Sequence, residues 1–342
     1  MKDPTRWQFW IDVGGTFTDC LARQENGPLL RRKVLSSGVM LGAVDSRSTA
    51  LRIIDPTKQT DPDDFWKGYE LRLFQSHGVC VGQSVIKSFD SLTGTLHLEN
   101  RLNIDSRQSY TYELSAGEEA PILGIRLLLG VKLSESLPNI SVRLGTTRGT
   151  NALLTRSGAE TAFITTAGFG DALHIGYQNR PNLFELAIKK PVPLFSDVLE
   201  VQERVTANGE ILTKLSPDAL RASLTQLRAT GIRSLAVCLL NAYRHPEHEL
   251  LVGQIAGEVG FSEVSLSHAV APLIKIVARG DTTVLNAYLN PILRQYVDKI
   301  RQSLGEQSDL RLLTSSGGLV TAERFVGKDS ILSGPAGGVV GF

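Results

Sequence analysis

Two carboxylates bracket a glycine- and threonine-rich turn near the start of the chain: Asp12-Val13-Gly14-Gly15-Thr16-Phe17-Thr18-Asp19. The apolar run Phe9-Trp10-Ile11 leads in and Cys20-Leu21-Ala22 leads out, so the stretch reads as strand, tight turn, strand. Gly14 and Gly15 let the backbone approach an anion and expose its N–H groups, and Thr16 and Thr18 add hydroxyl donors. Asp12, at a strand end, suits a hydrated Mg²⁺, a hard cation that prefers carboxylate and water oxygens. The expectation is a polyphosphate with its metal, Asp12 and Asp19 being the catalytic carboxylates and Asp12 the metal ligand. A plain Gly-Gly hairpin with strand-favouring threonines is the competing reading.

Three further small-residue clusters have the same flavour: Gly145-Thr146-Thr147-Arg148-Gly149-Thr150-Asn151, Ser315-Ser316-Gly317-Gly318, and Ser333-Gly334-Pro335-Ala336-Gly337-Gly338. Four such loops suggest convergence on a phosphorylated ligand, against the alternative of four ordinary turns. Gly317, Gly318, Gly334, Gly337 and Gly338 are then phosphate candidates. Thr146 and Thr147 are substrate candidates, and Asn151 is a catalytic one. Arg180 and Arg279 could each pair with a substrate carboxylate or make a structural ion pair. His245 and His248 stand three apart at a helix start, without the third ligand that zinc needs. His174 could line a cleft.

No Walker loop and no dinucleotide fingerprint occurs. A strand–turn–strand phosphate loop resembles that of the actin, sugar-kinase and Hsp70 superfamily, which implies an actin-like (ribonuclease-H-like) α/β ATPase fold.

The elements that must hold these loops follow from periodicity. A three-strand meander is expected over 7–35, a helix over 38–54, a small β-rich insertion over about 66–115 and a helix over 116–129. From Ser216 the pattern is α/β, with Ser216 as N-cap, Pro217 at the first helical position and Gly231 as stop. A strand is expected at 234–240, a helix at 246–259, a strand at 264–267 and a long helix at 282–304 kinked by Pro291. Strands at 310–314 and 330–333 lead to the last two clusters. The domain boundary is placed at 205/206, giving segments 7–205 and 206–342.

The chain has 342 residues, 42% hydrophobic and 21% charged, with net charge +1. That balance argues against a nucleic-acid partner, and no apolar stretch is long enough to span a bilayer. Three scattered cysteines, Cys20, Cys80 and Cys238, fit a reducing cytoplasm and neither a disulfide framework nor a zinc site.

The chain resembles the hydantoinase A and oxoprolinase family. The stretches that carry the resemblance are D-V-G-G-T-F-T-D at 12–19, G-T-T-R-G-T-N-A-L-L at 145–154, G-F-G-D-A-L-H-I-G-Y-Q-N-R-P at 168–181, S-S-G-G-L at 315–319 and S-G-P-A-G-G-V-V-G at 333–341. Residues 275–289, K-I-V-A-R-G-D-T-T-V-L-N-A-Y-L, are most similar to 5-oxoprolinases. The resemblance implies ATP-dependent opening of the 5-oxo-L-proline lactam to L-glutamate through phosphorylation of the ring carbonyl oxygen, with ATP, Mg²⁺ and K⁺. It implies assembly as a homo-oligomer or with a second, hydantoinase B-like half. Alternatives are a hydantoinase or carboxylase-type ATPase subunit, a small-molecule kinase, or a nucleotide-binding fragment without catalysis. Family members continue past residue 342 into a second half of the fold, so this chain is expected to hold that half truncated and to be inactive alone. Arg148 stands where the family has small or apolar residues.

Overall fold

The computed structural model describes residues 6–75, 78–105, 107–178, 184–188, 190–334 and 336. The chain divides into two compact units. The first holds residues 1–148, 296–324 and 332–342, and the second holds 149–295 and 325–331.

The first unit opens with the meander β1 (Gln8–Val13), β2 (Phe17–Arg23) and β3 (Leu30–Leu35). In β1 the odd residues Phe9, Ile11 and Val13 are buried, while Asp12 faces out. An insertion follows: β4 (Met40–Ala43), β5 (Arg52–Ile54), β6 (Glu70–Gln75), β7 (Cys80–Asp90), β8 (Thr95–Leu98) and β9 (Tyr110–Ser115). They form one sheet in the order β4-β9-β6-β7-β8-β5. The helix expected over 38–54 is absent, and the segment instead supplies the two short strands β4 and β5. Their partners are distant: β4 pairs with β9 and β5 with β8, so the sheet begins at Met40 rather than near 66. Helix α1 (Ala120–Leu129) ends at Gly130 in the left-handed region, φ 68°, and packs on β1–β3. Its Gly124 sits against Cys20, where an added Cβ would lie 2.4 Å from Sγ. Strand β10 (Ser141–Thr146) then pairs with β1 in parallel.

The second unit holds α2 (Arg148–Leu154, from residue 149), β11 (Thr161–Thr166), α3 (Ala172–Ile175), β12 (Asp197–Val201), β13 (Arg204–Val205), β14 (Ile211–Thr213), α4 (Pro217–Ala229), β15 (Ser234–Cys238), α5 (Glu247–Val259), β16 (Glu263–Leu266) and α6 (Ser267–Val270). Helix α7 (Ile276–Leu304) gives its residues 276–295 to this unit and the rest to the first. Strands β13 and β14 pair antiparallel with each other, and the other four make a parallel sheet, β12-β11-β15-β16. One face packs on α4 and α5 through Leu224, Val237 and Val252, and the other packs on α7 through Phe163, Ala236 and Val284. Ser216 accepts the Ala219 N–H as N-cap, as its position ahead of Pro217 suggests. Pro291 lies inside α7. It cannot bond the carbonyl of Ala287, and the hydroxyl of Ser234 donates to that oxygen instead, at 2.7 Å.

Back in the first unit, β17 (Asp309–Leu313) pairs in parallel with β10, and β18 (Leu319–Thr321) pairs antiparallel with β17. The sheet order is β18-β17-β10-β1-β2-β3. Residues 330–333, expected as a strand, form a turn that enters a helix at Ser333.

Candidate functional site

Strands β1, β10 and β17 are adjacent and parallel, so their carboxyl ends, at Val13, Thr146 and Leu313, lie along one edge of the first sheet. That edge is where open α/β sheets bind ligands. Three of the four small-residue clusters begin there. The fourth is tied to it: Ser333 Oγ donates to the Thr146 carbonyl at 2.9 Å, and the Leu332 N–H donates to Ser315 Oγ at 3.1 Å.

The turn after β1 has its carbonyls occupied. Val13 O accepts from the Thr147 N–H (2.9 Å) and hydroxyl (3.1 Å). Gly14 O accepts from Ser36 Oγ, Thr16 O from the Ser36 N–H, and Phe17 O from the Gly14 N–H. Among the described residues, the N–H groups of Gly15 and Thr16 have no acceptor. Two successive free donors beside satisfied carbonyls make a positive concavity suited to an anion. Gly14 fits closely, since a Cβ there would sit 3.0 Å from Phe17 O and crowd the turn.

Asp12 and Asp19 are register partners across β1 and β2, so both carboxylates project from the same face. Both are exposed. Lys33 Nζ lies 3.1 Å from Asp19, whereas Asp12 has no hydrogen-bond or ion-pair partner among the described residues. Gly145, the partner of Asp12 on β10, leaves that carboxylate room: a Cβ would stand 3.3 Å from its Oδ1. This donor set fits a Mg²⁺ held mainly by water and phosphate, with Asp12 as the protein's contribution.

Other expected contacts are corrected by burial. Thr18 is fully buried, and its hydroxyl pairs with Ser36 Oγ at 2.9 Å, so it braces the turn and offers nothing to a ligand. Thr146 is buried as well, its hydroxyl accepting the Arg148 N–H. Thr147 spends its hydroxyl on Val13 O. Gly317, with φ 81°, serves the tight turn joining β17 to β18, whose carbonyls Thr314 O and Gly318 O accept from Gly317 N and Thr314 N. Gly318 completes that turn, and Gly334 faces Thr147, whose methyl would lie 3.8 Å from a Cβ added there. Arg148 pairs with Glu119 at 3.1 Å and lies over the Tyr296 ring, a structural anchorage.

In the second unit, Asn151 is half-buried within α2. Arg279 is fully buried, and its donors go to Ser267 Oγ (3.0 Å), Leu273 O (2.7 Å) and Leu239 O (2.6 Å). Ser267 in turn donates to Glu249, a fully buried carboxylate that also accepts from the Leu239 N–H and from His268. Arg279 is therefore a structural cation, not a substrate clamp. His248 bonds to buried Glu203 at 2.7 Å, which accounts for it without a metal. Arg180, Gly337 and Gly338 lie outside the described residues. Ser36 was not singled out by sequence, because nothing local to residue 36 shows that it reaches back to the turn.

Comparison with known proteins decides the family. A hydantoinase/oxoprolinase N-terminal region model matches residues 101–260, and a hydantoinase/oxoprolinase model matches residues 279–342. The chain belongs to the hydantoinase/oxoprolinase family. Among its relatives, a 5-oxoprolinase of Saccharomyces cerevisiae is 42% identical over 262 residues, covering 66% of this chain and 20% of that protein. A 5-oxoprolinase 1 of Arabidopsis thaliana is 38% identical over 257 residues, again 66% of this chain and 20% of the relative. The chain thus spans about one fifth of the length of these relatives. In fold it is similar to a nucleotide-free acetone carboxylase (TM-score 0.62, 22% identity, 98% of this chain and 39% of that one). An ATP-dependent caprolactamase from Pseudomonas jessenii matches equally well (TM-score 0.62, 22% identity, 96% and 39%). No helix among the described residues is long and apolar enough to cross a membrane.

Proposed function

We propose that this member of the hydantoinase/oxoprolinase family binds the phosphates of ATP and serves the opening of 5-oxo-L-proline to L-glutamate. The observation that carries the reading is the edge of the first sheet, where the turn after β1 offers the free amides of Gly15 and Thr16 beside the open carboxylate of Asp12. Relatives named 5-oxoprolinase support the substrate, and a structural relative described as an ATP-dependent caprolactamase supports the cyclic-amide class. The meander followed by two parallel strands, in the order β3-β2-β1-β10-β17, is read as the ribonuclease-H-like core of an actin-type ATPase.

A lactam is a poor electrophile. Attack of its carbonyl oxygen on the γ-phosphorus forms an O–P bond as the bond to ADP breaks. Water then adds to the ring carbon, the C–N bond opens with the nitrogen taking up a proton, and a second water displaces phosphate from the resulting acyl phosphate to leave the carboxylate. Gly15 and Thr16 amides would bind the phosphates, and the Thr16 hydroxyl would add a donor. Asp12 would hold water on Mg²⁺, with Asp19 beside it under the partial neutralisation of Lys33. Bound there, Mg²⁺ would neutralise charge on the β- and γ-phosphates. A hydantoinase B-like partner half and a reducing cytoplasmic setting are part of the proposal; the three free cysteines support the latter.

Asp12→Asn, placed in the full-length protein, is expected to lower ATP-dependent glutamate release by about a hundredfold, a loss of roughly 2.7 kcal/mol of transition-state stabilisation, with the far-UV spectrum unchanged. Near-wild-type turnover at saturating Mg²⁺ would refute the assignment. A phosphorylated product in place of glutamate would show a kinase.

A further inference from the structure

The second unit carries a groove of about 1190 Å³ that the phosphate edge does not use. Residues 173–178, 281, 282, 284 and 285, which belong to two of the stretches that carry the family resemblance, line it. Leu173, Phe195 and Val284 form an apolar wall continuous with the core between the parallel sheet and α7. Asp281, near the start of α7, stands at the exposed rim. Among the described residues its carboxylate has neither a hydrogen-bond nor an ion-pair partner, and desolvation raises its carboxyl above the usual range. Arg156 and Lys190 also line the groove. Arg156 donates to Pro193 O and Lys190 to the carbonyls of His174 and Ile175, and each keeps further donors.

A wall of this kind beside one unpaired acceptor selects a small ring with a single donor. A sugar would press several hydroxyls against the Leu173–Phe195–Val284 wall, which offers them no partner. We propose that this groove seats the cyclic amide, its methylenes on the Leu173–Phe195–Val284 wall, its N–H donating to Asp281, and a ring carboxylate met by Lys190 and Arg156. The proposal rests on the lactam reading above and adds where the ring lies and what reads its N–H.

The test is calorimetric titration of the 342-residue chain, without nucleotide, with 5-oxo-L-proline, 2-pyrrolidinone and N-methyl-2-pyrrolidinone. Asp281→Ala is expected to weaken the first two ligands about tenfold, the worth of one hydrogen bond to a charged group. Asp281→Asn, which keeps a carbonyl acceptor, should stay within about threefold of wild type by the same reasoning. The N-methyl lactam has no donor, so it should bind weakly and ignore both substitutions. Equal binding of the N-methyl and parent lactams, or unchanged affinity in Asp281→Ala, would overturn the groove assignment. If no lactam binds while the Gly15 and Thr16 amide resonances still respond to Mg–ATP, the groove fails and the phosphate edge stands. Lactam binding with silent amides would sink the phosphate edge alone.

Discussion

Ser36 braces the glycine turn together with Thr18, the residue expected to donate to a ligand. Its hydroxyl bridges Thr18 Oγ1 and Gly14 O, and its N–H holds Thr16 O. Ser36→Ala leaves the buried Thr18 hydroxyl and a turn carbonyl without partners, at a cost of about 1–3 kcal/mol. Chemical denaturation should show that loss, and the Mg–ATP response of the Gly15 and Thr16 amides should shrink. Ser36→Thr should restore both, and a full response in the alanine variant would show that the turn holds its shape unaided. Arg279 makes the opposite case. It reads as a candidate substrate cation, yet its donors are spent inside the protein, so Arg279→Ala should destabilise the fold by about 3 kcal/mol or more. A change confined to lactam KM, with stability intact, would restore the substrate role. What separates these residues is direction: sequence spacing shows which groups are near one another along the chain, not whether a side chain points to water or to the core. The cysteines are simpler. Burial pushes the Cys20 thiol up to about 12 and the Cys238 thiol up to about 11, while Cys80 is exposed. Native protein should therefore react with one equivalent of thiol reagent and denatured protein with three.

Elements built on local rules were legible, and those built on remote partners were not. The cap at Ser216, the strand at 234 and the long helix follow from neighbours within a few residues. Strand β4 does not: Met40–Ala43 is a strand because β9 lies beside it, and Gly42 is glycine because the Tyr112 ring occupies the place of its side chain, 2.1 Å from an added Cβ. The Tyr112 hydroxyl continues to Asp55 at 2.6 Å, so three distant segments specify one another. Proline in α7 is a milder instance. A kink is expected at Pro291, and the structure supplies a donor from β15 for the carbonyl that proline leaves unpaired. Ser234→Ala should cost about 1–3 kcal/mol in the wild-type background. In a Pro291→Ala background, where residue 291 regains its own N–H, the cost should fall by at least half, and a double-mutant cycle measures the coupling. Strict additivity would show that the two residues are unrelated.

On the scale of the whole molecule, the clusters of glycine with serine and threonine were expected to converge, and the parallel pairing of β1, β10 and β17 brings three of them to one edge. The pairing itself could not be read, since each strand's neighbour lies far along the chain. Gln8 lies beside Ser141, and Ser141 beside Asp309. That spacing carries a consequence in time. A chain emerging from the ribosome delivers the meander before the six-stranded insertion, and residues 149–295 of the second unit after both, all before β17 exists. Long-range pairings of this kind form late, because their loops must close before any contact rewards them. The glycine turn is thus made long before β10 and β17, the strands that complete its setting. A nascent chain halted before Asp309 would hold the turn without the complete edge that gives it meaning.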